Sequence, residues 1–298
     1  MFDMDQASVK QKHLAWEIPE EYRVPRVSRA PHAQLAPIVV RCYAGYSRIA
    51  QARERSTIFS ATTAVQILVK LDNANRPRSF VIGPRVSPLS IDLSTSSEYL
   101  EVWLSPLGAY SIFGGATGYI TTRAKTAVDL SDLVGSQGGE LTDRIYGEKT
   151  WAGRFDMIEG LLLDRTECGP GVLPGVERAW SLLVDSGGTM PIGRIAEEVR
   201  WSHKHLIARF TQQVGLPPKS AARIIRFDRV RRRLRRHPHT PVHEIAVDCG
   251  YADQSHLNRD FRKFSGITPS EYSYISRARQ AGNDTCIAGN VIPRGDEV

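Results

Sequence analysis

The chain has 298 residues, of which 41% are hydrophobic and 24% are charged, and its formal net charge is +7. This length accommodates about two domains, and the composition is typical of a globular protein. The sequence predicts no membrane-spanning helix, because it holds no apolar run near the roughly 18 residues that such a span needs. Residues 1–21 are polar and charged, so we expect no signal peptide there. We therefore expect a cytoplasmic protein with reduced cysteines.

The first part of the chain predicts an irregular arm followed by short strands. Residues 1–35 show no clear period, apart from one short helix near residues 13–18. Apolar runs then follow at residues 38–40, 62–71, 79–82 and 100–104, separated by turn-forming residues. In the last run Glu101 and Trp103 alternate with apolar residues, which predicts a half-buried strand. This pattern predicts an α+β domain built on a small β-sandwich or barrel.

Helical patterns come next, at residues 107–113, 141–146, 151–163 and 176–184. Two prolines and three glycines fall within residues 168–175, and such a segment cannot lie inside a regular element. We therefore divide the chain into an N-terminal domain at residues 1–168, a linker at 169–175, an all-helical domain at 176–280 and an unstructured tail at 281–298.

The helical domain contains the same pattern twice. The offset between the two copies is 50 residues before a turn and 51 after it, and the matched pairs are Ile195 and Ile245, Ala196 and Ala246, Leu206 and Leu257, Phe210 and Phe261, Gly215 and Gly266, and Pro218 and Pro269. Each copy predicts a short helix, a turn and a second helix, and Gly250 supplies the backbone freedom for the second turn. Insertions map to loops in repeated units, so the sequence predicts two helix-turn-helix motifs.

The charge is concentrated on this domain. Residues 190–280 hold 18 Lys and Arg against eight Asp and Glu, whereas the rest of the chain has more acidic than basic residues. A basic segment attached to a mildly acidic one is typical of a nucleic-acid-binding domain joined to a domain with another task. Double-stranded DNA is therefore the predicted partner.

The second helix of each motif is the candidate to enter a major groove, and we call it the reading helix. At about 100° per residue, the face opposite Leu206 and Phe210, or opposite Leu257 and Phe261, points toward the DNA. The candidate DNA-binding residues are His203, Lys204, Ile207, Ala208 and Thr211 in the first motif and Gln254, Ser255, Asn258, Arg259 and Arg262 in the second.

These side chains suit base edges unequally. Arg259 can bond to guanine and Gln254 to adenine through two hydrogen bonds each, while Ile207 and Ala208 can pack on thymine methyl groups. A phosphate contact or a solvated charge is the alternative for Arg259. The first reading helix has few bidentate groups, so we expect it to read its block of the site more weakly.

A long linker helix is predicted between the motifs, at residues 220–236. Ile224, Phe227, Val230 and Leu234 form one apolar stripe, which we expect to pack on both motifs. Eight arginines surround the stripe; they form either a solvated face or, in part, contacts to the DNA backbone. Such a helix can hold two reading helices about 34 Å, or one turn of DNA, apart.

These motifs resemble the AraC/XylS family of bacterial transcription regulators. The resemblance lies in residues 195–199, 206–210, 215–218 and 245–272, and one departure is Arg200, where the family usually has glycine before the aromatic residue. Position by position, the family motif implies DNA contacts for Lys204, Ile207, Ala208, Gln254, Ser255 and Arg259.

A looser resemblance, at residues 104–110, 128–130 and 151–155, relates the N-terminal domain to that of one AraC-type subgroup. The family implies that such a domain binds a small effector, forms a homodimer, or both. It also implies that effector binding changes promoter occupancy or contact with RNA polymerase.

Two other functions remain open from the residues alone. A regulator switched by chemical modification of Cys42 is the alternative within the same class, and a nucleoid-type binder without sequence preference is a second, against which the internal repeat argues. We find no catalytic grouping, so no enzyme is predicted. His203 and His205, like His237 and His239, lack partners at zinc-finger spacing, so we predict no metal and no cofactor.

Overall fold

The computed structural model describes residues 27–40, 43–47, 57–72, 77–91, 98–115, 118, 120 and 127–280. Cys42, the helix predicted near residues 13–18 and the tail at 281–298 lie outside these residues. In the described part, an N-terminal sheet region is followed by helices to residue 280. None of the described helices is long and apolar enough to cross a membrane.

The described strands of the N-terminal domain form two antiparallel sheets. A five-stranded sheet has the order β1-β2-β7-β4-β5, and a two-stranded sheet pairs β3 with β6. The strands are β1 Val27–Arg29, β2 Tyr43–Ser47, β3 Thr57–Phe59, β4 Val65–Lys70, β5 Ser79–Ile82, β6 Leu89–Ile91 and β7 Glu98–Leu104. The predicted α+β fold of this region, strands followed by helices, is therefore confirmed.

The central strands β4 and β7 are buried on both faces, which corrects one prediction. Ile67 and Val102 face the helices, while Leu68 packs with Phe59 of β3 in a second cluster. Because the small sheet covers this second face, Glu101 and Trp103 are buried rather than exposed. The alternation of residue types along β7 therefore does not mark a solvent face.

Residues 38–40 do not form a regular strand, contrary to prediction. Val39 makes a single bridge to Leu104, after a short 3₁₀ helix at Ala33–Leu35. Ile38 and Val39 are nevertheless buried in the main core. The apolar run thus fills the core of the domain without joining the sheet.

Four helices follow the sheet in the described part of the N-terminal domain: α1 Pro106–Phe113, α2 Ser131–Val134, α3 Ser136–Gly147 and α4 Trp151–Cys168. The α1 helix begins at a side-chain cap, since the hydroxyl of Ser105 accepts from Gly108 N at 2.9 Å. It ends at Gly114, whose φ is 56°. Phe155 of α4 stacks on Tyr43 of β2 at 5.9 Å between ring centroids, which joins the helices to the sheet.

The helical domain runs through α5 Pro174–Asp185, α6 Ile192–Glu198, α7 His203–Val214, α8 Pro218–Arg236, α9 Val242–Asp248, α10 Gln254–Ser265 and α11 Pro269–Gln280. The irregular connection before α5 is shorter than the predicted linker. Pro174 and Gly175 lie in the first turn of α5, where a proline fits because its missing N–H has no helical partner there.

The linker helix α8 packs through two stripes, not one. Ile224, Phe227, Val230 and Leu234 lie in a core shared with the second motif. Ala221, Ala222 and Ile225 lie in a separate core with the first motif and α5. The predicted stripe therefore holds only the second motif, and the adjacent face of the same helix holds the first.

The N-terminal domain contacts both motifs. The backbone N–H of Ala61 donates to the carbonyl of Phe264, near the end of α10, at 2.8 Å. Leu107 of α1 packs on the core of the first motif. In the linker, Leu173 N donates to the buried side chain of Gln213 in α7 at 3.1 Å. The Ala61 bond places the sheet domain against the C-terminal end of α10, and α1 and the linker lie against the first motif.

Candidate nucleic-acid interface

The two helix-turn-helix motifs have the same construction in the structure. Helices α6 and α9 start 50 residues apart, and helices α7 and α10 start 51 apart. The additional residue of the second motif lies in its turn, between Tyr251 and the cap residue Asp253. The predicted repeat and the predicted position of its insertion are both confirmed.

Both reading helices, α7 and α10, are capped in the same way. Ser202 Oγ accepts from His205 N at 3.2 Å, and Asp253 Oδ1 accepts from His256 N at 2.6 Å. At the other end, Gly215 and Gly266 adopt left-handed φ values of 83° and 84°. These caps satisfy backbone groups that the helix ends leave open, and so fix where each reading helix starts and stops.

The turns share a left-handed residue followed by an aromatic one. Gly250 has φ 78°, and Arg200 takes the matching position in the first motif with φ 56°. The departure from glycine therefore leaves the conformation of the first turn intact. Trp201 then packs edge-on against His205 at 4.7 Å, and Tyr251 against His256 at 5.2 Å, between ring centroids. The sequence did not reveal this role for the two histidines.

Arg200→Gly should stabilise the protein. A residue with a Cβ atom costs about 1–2 kcal/mol in the left-handed region, part of which the greater entropy of glycine in the unfolded chain offsets. We expect a net gain of about 1 kcal/mol in the free energy of unfolding, measured by urea denaturation followed by circular dichroism.

The equivalent glycine provides the control. Gly250→Ala should destabilise the protein, since a Cβ atom there has an unfavourable φ and would collide with the methyl group of Thr189. If Arg200→Gly lowered the stability instead, the side chain of Arg200 would contribute more than its backbone costs.

On the first reading helix, the predicted buried face is confirmed, because Leu206, Phe210 and Val214 are fully buried. Of the candidate contacts, His203, Lys204, Ile207 and Ala208 are exposed. Thr211 is half-buried, and its hydroxyl oxygen is shielded from solvent. Thr211 therefore lies at the edge of the face that the other four present.

On the second reading helix, Leu257, Phe261 and Phe264 are buried as predicted. Gln254, Ser255, Arg259 and Arg262 are exposed, and Asn258 is half-buried. No side chain among the described residues forms an ion pair or hydrogen bond with the guanidinium of Arg259. This group is therefore available to an external acceptor.

A buried ion pair holds the second reading helix on α8. Asp260 is almost fully buried, and both its carboxylate oxygens accept from the guanidinium of Arg223. The hydrogen bond with Asp260 raises the pKa of Arg223. His256 Nε2 lies 4.0 Å from the same carboxylate. Asp260 lies on the side of α10 that faces α8 and orients α10, a role that the sequence pattern did not indicate.

Several arginines of α8 bind other parts of the domain. The sequence predicts only a solvated face or contacts to the DNA backbone for them. Arg226 donates to the carbonyl of Gly188 at 2.9 Å, and Arg233 pairs with Asp248 at 3.0 Å. Arg229 donates to the carbonyl of Asp248 at 3.1 Å. Part of the positive charge on α8 is thus used to join helices within the domain.

The described residues hold no group of three or more His, Cys, Asp or Glu side chains placed to bind a metal ion. Cys249 is buried next to the second turn, and burial raises the pKa of its thiol, which lowers its reactivity. The exposed sides of the two reading helices therefore offer hydrogen-bonding groups and positive charge.

Residues 195–274 match the family model of a helix-turn-helix domain. A segment of 87 residues is 32% identical to the HTH-type transcriptional regulator Rv1931c of Mycobacterium tuberculosis, covering 29% of this chain and 33% of the relative. A segment of 79 residues is 32% identical to the uncharacterized HTH-type transcriptional regulator YpdC of Escherichia coli, covering 26% of this chain and 27% of the relative. The matches thus span about a third or less of these relatives' own length.

Among solved structures, the C-terminal domain of AraT, a response regulator from Geobacillus stearothermophilus, is 25% identical, covers 35% of this chain and 87% of that chain, and has a TM-score of 0.33. The structure of ToxT from Vibrio cholerae is 16% identical, covers 78% of this chain and 96% of that chain, and has a TM-score of 0.40. These TM-scores are low, so the identification of a helix-turn-helix domain rests on the sequence match at residues 195–274.

Proposed function

We propose that this protein is a sequence-specific DNA-binding transcription regulator of the AraC type, because residues 195–274 match a helix-turn-helix family model and form two such motifs. One observation carries the proposal: two reading helices with the same caps and the same buried faces each leave the opposite side exposed. A single chain then reads two successive major grooves, and its site is asymmetric.

The two reading helices contribute differently to recognition. Arg259 bonds guanine through two hydrogen bonds, and Gln254 bonds adenine in the same manner. His203, Lys204 and the apolar pair Ile207 and Ala208 supply weaker contacts from the first helix. The excess of basic residues in the domain adds attraction to phosphates, which is independent of sequence and falls with salt.

A selection of bound duplexes from a random pool, with the full chain at fixed salt, tests this function. We expect an asymmetric motif with two blocks about one turn of DNA apart. Arg259→Ala should relax the preference at one position of one block by a factor of roughly ten to a hundred, because a bidentate pair is worth about 1–3 kcal/mol.

Arg277→Ala is the matched control. It removes the same charge from an exposed position on α11, outside the reading helices, and should leave the selected motif unchanged. A pool without enrichment would refute sequence-specific binding. A motif confined to one block would refute reading by the first helix and reduce its role to backbone contacts.

For the N-terminal domain, we propose that binding of a small effector, homodimerisation, or both control the DNA-binding domain. The polar interior of the sandwich supports an effector. Arg85 donates to Gln66 at 2.9 Å, and Gln66 donates to Glu101 at 3.4 Å, all three being fully buried. Burying such groups costs free energy, and a role in recognising a ligand explains their presence.

The contacts of this domain with both motifs support a route for that control. An effector that changes the sheet around Ala61 also changes the position of α10, to which Ala61 is bonded. RNA polymerase is the proposed partner through which promoter occupancy affects transcription. The alternative, a switch through modification of Cys42, is tested by thiol alkylation followed by a DNA-binding assay. Unchanged DNA binding and an unchanged response to effectors would rule out this alternative.

A further inference from the structure

The two helix-turn-helix motifs are joined by a direct contact in addition to the linker helix. The loop at residues 186–190 precedes the first motif and lies against the turn of the second. Gly250 of that turn approaches the methyl group of Thr189 so closely that a Cβ atom would not fit between them. In the same loop, Gly188 has φ 77° and lies against the carbonyl of Ala222 in α8. The loop is thus wedged between α8 and the second turn.

Arg226 of α8 binds both sides of this contact. Its guanidinium donates to the carbonyl of Gly188 at 2.9 Å, on the side of the first motif. The same guanidinium lies 5.5 Å from the ring centroid of Tyr251, in the turn of the second motif. Tyr251 is buried and packs against His256 of the second reading helix. Arg226 therefore connects the first motif's loop to a residue that touches α10.

Arg229, one turn further along α8, makes a parallel connection. It donates to the carbonyl of Asp248 at 3.1 Å, at the end of α9, and reaches the carbonyl of Gly187 at 3.5 Å. A carbonyl at a helix C-terminus is an acceptor left open by the helix and favours a positive partner. The loop and the second motif are therefore held by two cationic side chains from one helix.

We propose that Arg226 and Arg229 are positioning residues that fix the separation and orientation of the two reading helices, and thereby limit the protein to one spacing between the two DNA blocks. This inference rests on the proposed function. A chain with motifs joined only by a flexible connection would accept several spacings. Here the direct contact restricts relative movement of the motifs, in addition to the restriction from α8.

The geometry of DNA makes spacing a sensitive measure. One inserted base pair moves the second block by about 3.4 Å along the axis and rotates it by about 34–36°, since a turn holds 10–10.5 base pairs. A rigid pair of reading helices cannot follow both changes at once. A loosened pair can follow them in part and so loses less affinity.

The experiment measures the affinity of the full chain for three duplexes at the same salt: the selected site, the site with one base pair added between its blocks, and the site with one removed. We expect the unmodified protein to bind both altered duplexes roughly tenfold to a hundredfold more weakly. The variant Arg226→Met/Arg229→Met should lose no more than about threefold on either, because its motifs can adjust.

Arg232→Met is the control for charge. Arg232 lies on the same helix, and its Nε donates to the carbonyl of Asp228 within that helix, at 3.3 Å. We expect this variant to bind all three duplexes somewhat more weakly while keeping the full spacing penalty. A general loss of stability would likewise lower all three affinities by the same factor, whereas relaxed positioning changes their ratios.

The outcomes separate this inference from the proposed function. If the unmodified protein prefers its selected site over a scrambled duplex, but the double variant keeps the full spacing penalty, the positioning role is wrong and the function stands. If the unmodified protein shows no preference for the selected site, both are wrong. Should the double variant fail to fold, Thr189→Ala opens the same contact from the loop side and must relax the penalty.

Discussion

Phe227→Ala should destabilise the DNA-binding domain by about 4 kcal/mol, within the range of 3–5 kcal/mol for truncating a buried phenylalanine. Phe227 is fully buried in α8, and its ring lies 5.0 Å from that of Phe261 and 5.4 Å from that of Phe264. Both neighbours belong to the second reading helix. The cavity would therefore loosen α10 on its support, and urea denaturation followed by circular dichroism measures the loss.

Phe227→Leu is the matched control, because it keeps most of the side-chain volume and should cost about 1.5 kcal/mol or less. A larger loss of stability in Phe227→Ala than in Phe227→Leu would support the packing argument. A Phe227→Ala protein within about 1 kcal/mol of the unmodified protein would mean that neighbouring side chains collapse into the space, and that α10 is held chiefly by its polar contacts.

Arg223→Met should destabilise the same domain by about 3 kcal/mol. The change leaves the buried carboxylate of Asp260 without the guanidinium that binds both its oxygens. Breaking a buried ion pair by removing one partner costs about 3–5 kcal/mol; we expect the lower end because the Arg223 side chain is 31% exposed. Denaturation as above gives the free energy of unfolding.

A double-mutant cycle identifies the cause. Adding Asp260→Asn to Arg223→Met removes the unpaired charge, so the double variant should lose less than the sum of the two single losses. Additive losses would show that the two side chains act independently, and that Arg223 contributes through its packing on Phe264, whose ring centroid lies 5.3 Å away.

The helical domain could be predicted from its sequence because its signals are local. Buried positions such as Leu206 and Phe261 repeat at helical spacing, and Thr268 and Glu271, three residues apart, form a capping box through mutual hydrogen bonds. The groove-facing residues follow from the same periodicity. Eight of these ten candidates are exposed, and Thr211 and Asn258 are half-buried; contact with DNA remains a prediction.

The features that escaped prediction depend on partners distant in sequence. Glu101 has an ordinary alternating pattern around it, and only the small sheet, which packs over the second face, makes it a buried residue. Likewise, nothing local distinguishes Arg223, which binds Asp260, from Arg232, which binds within its own helix. Charge on a helix predicts a solvated face until the opposing surface is known.

The hydrogen bond between Ala61 and Phe264, together with the packing of Leu107 on the first motif, has a thermodynamic consequence. If the sheet domain binds an effector, as proposed, that ligand and a DNA duplex would act on one shared contact, and their binding free energies would be coupled in a closed cycle. An effector that weakens DNA binding by a given factor must itself be bound more weakly, by that same factor, once DNA is present. In that case the promoter would reduce the sensitivity of its own regulator to the signal.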